Sequence, residues 1–339
     1  MSPTTSQQEP APSGAGSAVV AAGPAPEIRD RSELWTRLGR GGIVALFVLM
    51  LVTFSALKPE NFPTFDNGKA ILQQAAILAV LGAGLTVVLV IREFDLSFDA
   101  NAALSGAVAV QLMTGASLPM AAGIAGGIAT GALVGVANGA IVAYGRAPAF
   151  IGTLAVASVA AGVQSWFTGD KTTYGVPESY IGLSTNSVAG VPLYIVISVG
   201  VVLAVWVLLK YTVFGRHAHA VGSNAAAAES AGVRTREVRF GAFVVLGALA
   251  GLAGVLITAQ AGGSAPGNAA GLLLPVYTAA FLGASALGRG QFNSIATYFG
   301  VVFIGTLATG LTMLQQDAWV ASVITGLVLV GAVLVARRQ

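Results

Sequence analysis

The chain has 339 residues, of which 55% are hydrophobic and only 9% are charged. A soluble protein carries roughly 25% charged residues, so this composition excludes an ordinary soluble protein and defines an integral membrane protein. Cysteine is absent, which excludes disulfides, thiol catalysis and cysteine-ligated metals, and the formal net charge is only +3.

Residues 1–26 are rich in Pro, Ala, Ser and Gly and contain one acid and no base. They cannot form a core, and a disordered tail is expected. Residues 27–40, EIRDRSELWTRLGR, read as a juxtamembrane amphipathic segment. Apolar blocks follow at about 43–57, 70–91, 100–116, 119–144, 149–168, 191–210, 240–260, 272–288, 292–314 and 318–336. Spanning takes about 20 residues, so the first and eighth are short. The expected fold is all-α, a polytopic membrane protein of about ten transmembrane helices, with residues 41–339 forming the transmembrane domain. If the N-terminus is inside, fourteen of the seventeen Lys and Arg residues fall in inner segments. Only Lys58, Lys69 and Lys171 fall outside. The positive-inside rule then puts both termini in the cytoplasm.

The longest polar interruption lies at 211–239, between the sixth and seventh blocks, and by this topology it is cytoplasmic. Within it Asn224 is placed to cap a short helix over Ala225 to Ala231, and Gly232 is placed to end it. A helix of about eight residues is marginal alone in water and needs something to pack against. A docking element for a cytoplasmic partner is one reading, and a solvated loop with a helical turn is the other. His217 and His219 in the same loop offer two nitrogens with no third ligand in view, so no metal site is assigned.

By this topology no charged residue sits in the middle of a crossing, which counts against ion coupling. A neutral, hydroxyl-rich solute needs only weak polar contacts. The motif IREFDLSFDANAALSGA, Ile91 to Ala107, interrupts two blocks. There Asp95 or Ser97 can cap the next helix, and Asp99 falls in its favourable first turn. These three residues are hinge or gate candidates, although capping alone also accounts for them. Arg92 and Glu93 beside them are expected to form a local ion pair. The segment from Ala261 to Tyr277 is too rich in Gly and Pro for a straight helix. Broken backbone at membrane depth is tolerated where protein covers it or where it lines a cavity, so this is a candidate pathway element. Asn138, Gln164, Gln260 and Asn268 are the pathway candidates, with interhelical bonding the competing role for the polar residues within the blocks. Gly and Ala crowd the blocks, as tight helix packing requires, and no individual glycine is singled out.

There is no P-loop, G-x-S-x-G, H-E-x-x-H or paired set of intramembrane acids, so no catalytic residue and no cofactor is expected. If transport uses ATP, another chain must bind it. Nothing points to a nucleic-acid partner.

Several motifs occur in an order and spacing that resemble one family. They are FDLS at Phe94 to Ser97, ALSGA at Ala103 to Ala107, NGAIVA at Asn138 to Ala143 and P-x-F-I-x-T-L at Pro148 to Leu154. Further on come AVGSNAAAAESAGV at Ala220 to Val233, AAFLGAS at Ala279 to Ser285 and GTLATGLTML at Gly305 to Leu314. The chain resembles the permease subunits of bacterial ABC importers for monosaccharides, within the wider group that includes branched-chain amino acid permeases. It departs from them in Arg92-Glu93, where a Gly-Gly pair is usual, in Phe98-Asp99, where Val-Gly is usual, and in the LGRGQF of Leu287 to Phe292. The resemblance implies a multi-pass protein of the bacterial cytoplasmic membrane, surrounded by lipid and paired with a second permease copy. It also implies cytoplasmic ABC ATPase subunits and an extracytoplasmic sugar-binding protein as partners. Ser223, Asn224, Ala227, Glu229 and Gly232 would then belong to the coupling helix that docks on the ATPase. A permease for branched-chain amino acids or nucleosides, or a stand-alone secondary transporter, is the alternative.

Overall fold

The computed structural model describes residues 31–336 except Arg289, with side chains from Gly41 to Leu334 except Arg289 and Ala318. The tail expected over 1–26 lies outside the described residues. The helices are α1 (Arg31–Leu57), α2 (Phe65–Val90), α3 (Phe98–Thr114), α4 (Met120–Gly139), α5 (Ala149–Thr168), α6 (Glu178–Thr185) and α7 (Leu193–Tyr211). They continue as α8 (Val213–Ser223), α9 (Ala225–Ser230), α10 (Thr235–Ala261), α11 (Leu273–Ala286), α12 (Ser294–Met313) and α13 (Ala318–Ala336). Four two-residue strands form two antiparallel ladders, β1 (Thr173–Tyr174) with β4 (Gly263–Ser264), and β2 (Ser187–Val188) with β3 (Val191–Pro192). The protein is an all-α membrane protein.

Local chemistry sets the helix limits. Pro119, Pro148, Pro177 and Pro192 stand immediately before α4, α5, α6 and α7, where their fixed φ and missing N–H cost nothing. Thr64 and Asn293 cap α2 and α12 by accepting the N–H groups of Asn67 and Ala296. Gly169 and Gly262 end α5 and α10 in the left-handed conformation, at φ of +58° and +67°. Each apolar block of the sequence falls on a helix. Among the described residues, α2, α4 with its continuation, α5, α7, α10 and α12 are long and apolar enough to cross a membrane. The apolar parts of α1, α11 and α13 are shorter. The segments read separately as 27–40 and 43–57 share the continuous helix α1 from Arg31 onward.

Helix α2 is the axis of the bundle. Val80, Leu81, Leu85, Val87 and Val88 are fully buried, because α7, α10, α11 and α12 pack around it. Thr86 adds a polar contact, its hydroxyl lying 2.8 Å from that of Thr297 on α12.

The second core is made of backbone. Helix α4 carries Gly123, Gly127, Gly131, Gly135 and Gly139, one every fourth residue and all buried, and their row faces α3 and α10. A Cβ on Gly131 would lie 2.6 Å from the Gly251 backbone, and one on Gly139 would lie 3.0 Å from the Phe240 carbonyl. The row is the tight helix packing the sequence implies, here resolved to particular positions. The four-residue period was the available signal, since it puts them on one helix face. Beyond Gly139 the helix widens into a π-helical turn, Ala140–Tyr144. It ends beside Arg146, a non-glycine residue at positive φ.

Two breaks and a protruding helix

The polar interruption folds as two helices rather than one. Helix α8 begins where Thr212 accepts the Gly215 N–H, and it lies against the end of α2. Gly222 touches the Val90 carbonyl so closely that no side chain fits there. Its buried face, Gly215, Ala218, Val221 and Gly222, recurs at helical spacing opposite the exposed Arg216 and His219, so the period was an available signal that the sequence reading did not use.

Helix α9 follows as the sequence predicts, though shorter. Asn224 Oδ1 accepts the Ala227 N–H at 3.0 Å. At the other end Gly232 has φ of +85°, its N–H bonds the Glu229 carbonyl, and the Val233 N–H bonds the Ala228 carbonyl. That pair of bonds is a Schellman motif. Only Ala228 of α9 is buried, while Ser223, Asn224, Ala227, Glu229 and Gly232 are all exposed. The helix is thus a firmly capped knob of small residues. Beside it lies a polar recess of about 500 Å³ lined by Glu93, Arg146, Glu229, Thr235, Arg236 and Arg239.

Glu93 corrects one expectation. Its carboxylate faces Arg239 Nε of α10 at 3.5 Å, instead of pairing with Arg92. Burial raises the Glu93 carboxyl above the ordinary carboxylate range, and the Arg239 charge opposes that rise. The two residues are 146 positions apart in the chain, so spacing could not reveal the pair.

Two residues on, the 91–97 break turns back into the bundle. Asp95 is 2% exposed, and it lies in the break between α2 and α3, not within a helix. Its Oδ1 accepts the Ser97 N–H and the Ser97 hydroxyl, each at 2.6 Å. Its Oδ2 accepts Asn138 Nδ2 at 3.1 Å, and that amide also reaches Ser97 Oγ at 2.6 Å. A buried carboxylate requires such donors. Ser97 does not cap α3 through its side chain, because its hydroxyl is committed to Asp95. Asp99 does lie in the first turn of α3 and accepts the Ala100 N–H. Thr153 of α5 accepts the Leu96 N–H. Tyr277 of α11 bonds both backbone groups of Asp95, accepting its N–H at 3.1 Å and donating to its carbonyl at 2.8 Å. Thr153 and Tyr277 were missed, since a lone Thr or Tyr in an apolar block carries no distinguishing pattern.

The other break, 262–272, leaves α10 at the opposite end of the bundle and leads into α11. The β1–β4 ladder ties it to the loop after α5, and Tyr180 of α6 donates its hydroxyl to the Val255 carbonyl at 2.8 Å. The four pathway candidates do not converge. Asn138 belongs to the Asp95 cluster, Gln164 is buried in α5, Gln260 is exposed at the end of α10, and Asn268 lies in the break with its Nδ2 buried and unpartnered. The gate candidates Asp95 and Ser97 and the pathway candidate Asn138 form one cluster; the coupling candidates form another.

The chain is thus a helical bundle with two irregular breaks and a capped helix exposed at one end. Residues 69–333 match the family model described as branched-chain amino acid transport system / permease component. The ribose import permease protein RbsC of Escherichia coli is 32% identical over 88% of this chain and 93% of that protein. The D-allose transport system permease protein AlsC of Escherichia coli is 29% identical over 89% and 92%, respectively. The L-arabinose ABC transporter permease protein AraH of Azospirillum brasilense is 30% identical over 90% of each chain. The chain belongs to this permease family and is a multi-pass membrane protein. No solved structure matches it.

Proposed function

We propose that the chain is the membrane permease of an ATP-driven importer whose solute is a monosaccharide. Its ten helical blocks cross the membrane ten times, with both termini and the 211–239 loop in the cytoplasm and 41–339 as the permease domain. The observation that carries the reading is α9, an exposed helix capped at both ends on a chain that contains no P-loop. Such a knob suits docking into a separate ATPase, with Glu229 placed to meet a basic group there. The charge distribution supports the sidedness: Arg92, Arg146, Lys210, Arg216, Arg234, Arg236 and Arg239 flank the α8–α9 end, and Lys58 and Lys171 fall in connections at the other.

The sugar class rests on the ribose, allose and arabinose permeases among the relatives. An extracytoplasmic sugar-binding protein delivers the solute, and two permease copies pair within the lipid. ATP-driven closure of the ATPases moves α9, and the Asp95 cluster opens or closes as the bundle changes its access. The family description favours a second reading, a branched-chain amino acid as solute.

The test is co-purification with the cognate ATPase, comparing the native chain with Glu229→Arg and Gly232→Pro. Proline cannot adopt the +85° φ of Gly232, so the Schellman turn is lost. The native chain should hold the ATPase, and both variants should lose it while still inserting. Retention by both variants would move the coupling contact elsewhere.

A further inference from the structure

The two breaks enter the bundle from opposite ends, and the helix that follows one of them holds the other through a single side chain. From one end, β4 pairs with β1 in the register Thr173↔Ser264 and Tyr174↔Gly263. Gly263 lies so close to the Thr173 carbonyl that no side chain would fit. The chain then runs through 262–272, where Ala269 is fully buried, into α11. The second turn of α11 presents Tyr277. From the other end, α8 meets the end of α2 through Gly222, and α9 closes in its Schellman turn two residues before α10 begins. Arg239 of α10 faces Glu93, two residues before Asp95.

At the meeting point, the Tyr277 hydroxyl inserts between the N–H and the carbonyl of Asp95. Its ring lies between Phe94 and Phe98, each 6.1 Å away between centroids. The phenol does to Asp95 what a neighbouring β-strand would do, and it holds a stretch that has no helix of its own. Both bonds run through one hydroxyl to one residue, so a single atom holds the stretch from both sides.

We infer that Tyr277 is a positioning residue of the transport cycle: it locks the 91–97 break to α11, the helix into which the 262–272 break leads, and with Glu93–Arg239 it completes one linkage from the β1–β4 ladder through α11 to the α9 end. The inference rests on the importer reading for what passes along the linkage, and on geometry alone for the linkage itself. Binding protein pressing on the outer loop and ATPase pulling on α9 would then act on the same joint.

Tyr277→Phe keeps the ring and removes both hydrogen bonds. Amide hydrogen exchange is measured on the full chain in nanodiscs. The variant should exchange about 5-fold faster or more, the lower end of coupling between sites, in three separated places: 91–97, the β1–β4 ladder with 262–272, and 213–233. The interior of α12 should keep its native rate. Acceleration confined to 91–97 and the start of α11 overturns the inference, and so does a uniform rise across all helices. Glu93→Gln cuts the lower half. It should loosen 213–239 and leave the ladder protected; no change at 213–239 overturns that half.

The functional readout is ATP turnover in the assembled transporter, with binding protein and ribose, divided by turnover without them. The native ratio should exceed one, and the Tyr277→Phe ratio should fall to about one. A variant ratio equal to a raised native ratio overturns the role in transport. If the native ratio is itself one with ribose, allose and arabinose in turn, the importer reading fails, while the exchange pattern still decides the linkage.

Discussion

Gly131→Ala adds a single methyl group and should cost the bundle more than most larger changes elsewhere. The new Cβ would lie 2.6 Å from both Cα and N of Gly251. Non-bonded carbons sit at about 3.5–4.0 Å, so α4 and α10 must part locally by about 1 Å. Backbone is what obstructs the methyl, so no side chain can rotate away. Parting there also strains the contacts of Gly127 and Gly135, one turn on either side, which are set by the same interaxial distance. Overpacking of this kind costs about 1–3 kcal/mol, and the shared row of contacts puts Gly131→Ala at the upper end. Gly200→Ala is the matched control. Gly200 lies in α7 with nothing within 4 Å of its Cβ position, so the methyl should be neutral or stabilising by about 0.5–1 kcal/mol. The assay is the thermal unfolding midpoint of each purified variant in one detergent. Gly131→Ala should fall by several degrees and Gly200→Ala should not. Equal midpoints for the two variants would refute the claim that backbone contact along the glycine row sets the bundle.

The Asp95 cluster predicts an order among substitutions: Asp95→Ala strands the Ser97 N–H and takes the acceptor from the Ser97 hydroxyl, at roughly 1–3 kcal/mol for each buried unsatisfied group. Asp95→Asn should be milder in the same unfolding assay, because Asn138 Oδ1 is buried without a partner and can accept the new amide if Asn138 turns over. Asn224→Ala removes the α9 cap and should destabilise that helix by about 1 kcal/mol. It is read as faster amide exchange at Ala227 and Ala228 and weaker ATPase retention, with the global midpoint unchanged. Tyr180→Phe deletes the hydroxyl that bonds the Val255 carbonyl and meets Thr258 Oγ1 at 2.6 Å. Loss of this bonding from a fully buried group should lower the midpoint by about 1–2 kcal/mol in stability terms, and an unchanged midpoint would show that α6 is held by apolar packing alone.

How much was legible in the sequence followed the range of the interactions. The apolar blocks and the Asn224 and Gly232 signals depend on a few neighbouring residues, and they led to the right helices. Helix α9 stops at Ser230 because the Schellman turn takes up the residues beyond it. The interruption at FDLS was visible as a break between two blocks. Its partners were not, because Asn138, Thr153 and Tyr277 come from α4, α5 and α11, and only the fold brings them to Asp95. The Glu93 pairing failed for the same reason: adjacency in sequence favoured Arg92, while burial against α10 selected Arg239. The glycine row was legible by period, but its meaning lay in the second helix it touches. Polarity within an apolar block marked Asn138, Gln164, Gln260 and Asn268 equally, and it could not tell a bonding residue from a pathway one.

The most direct test of the central claim is uptake of radiolabelled ribose, allose and arabinose by proteoliposomes holding this chain. The liposomes are assayed with and without the cognate ATPase and binding protein. The account predicts accumulation of at least one of these sugars only when both partners and ATP are present, and its loss in the Gly232→Pro variant. Accumulation by the chain alone, driven by a proton or sodium gradient, would contradict it.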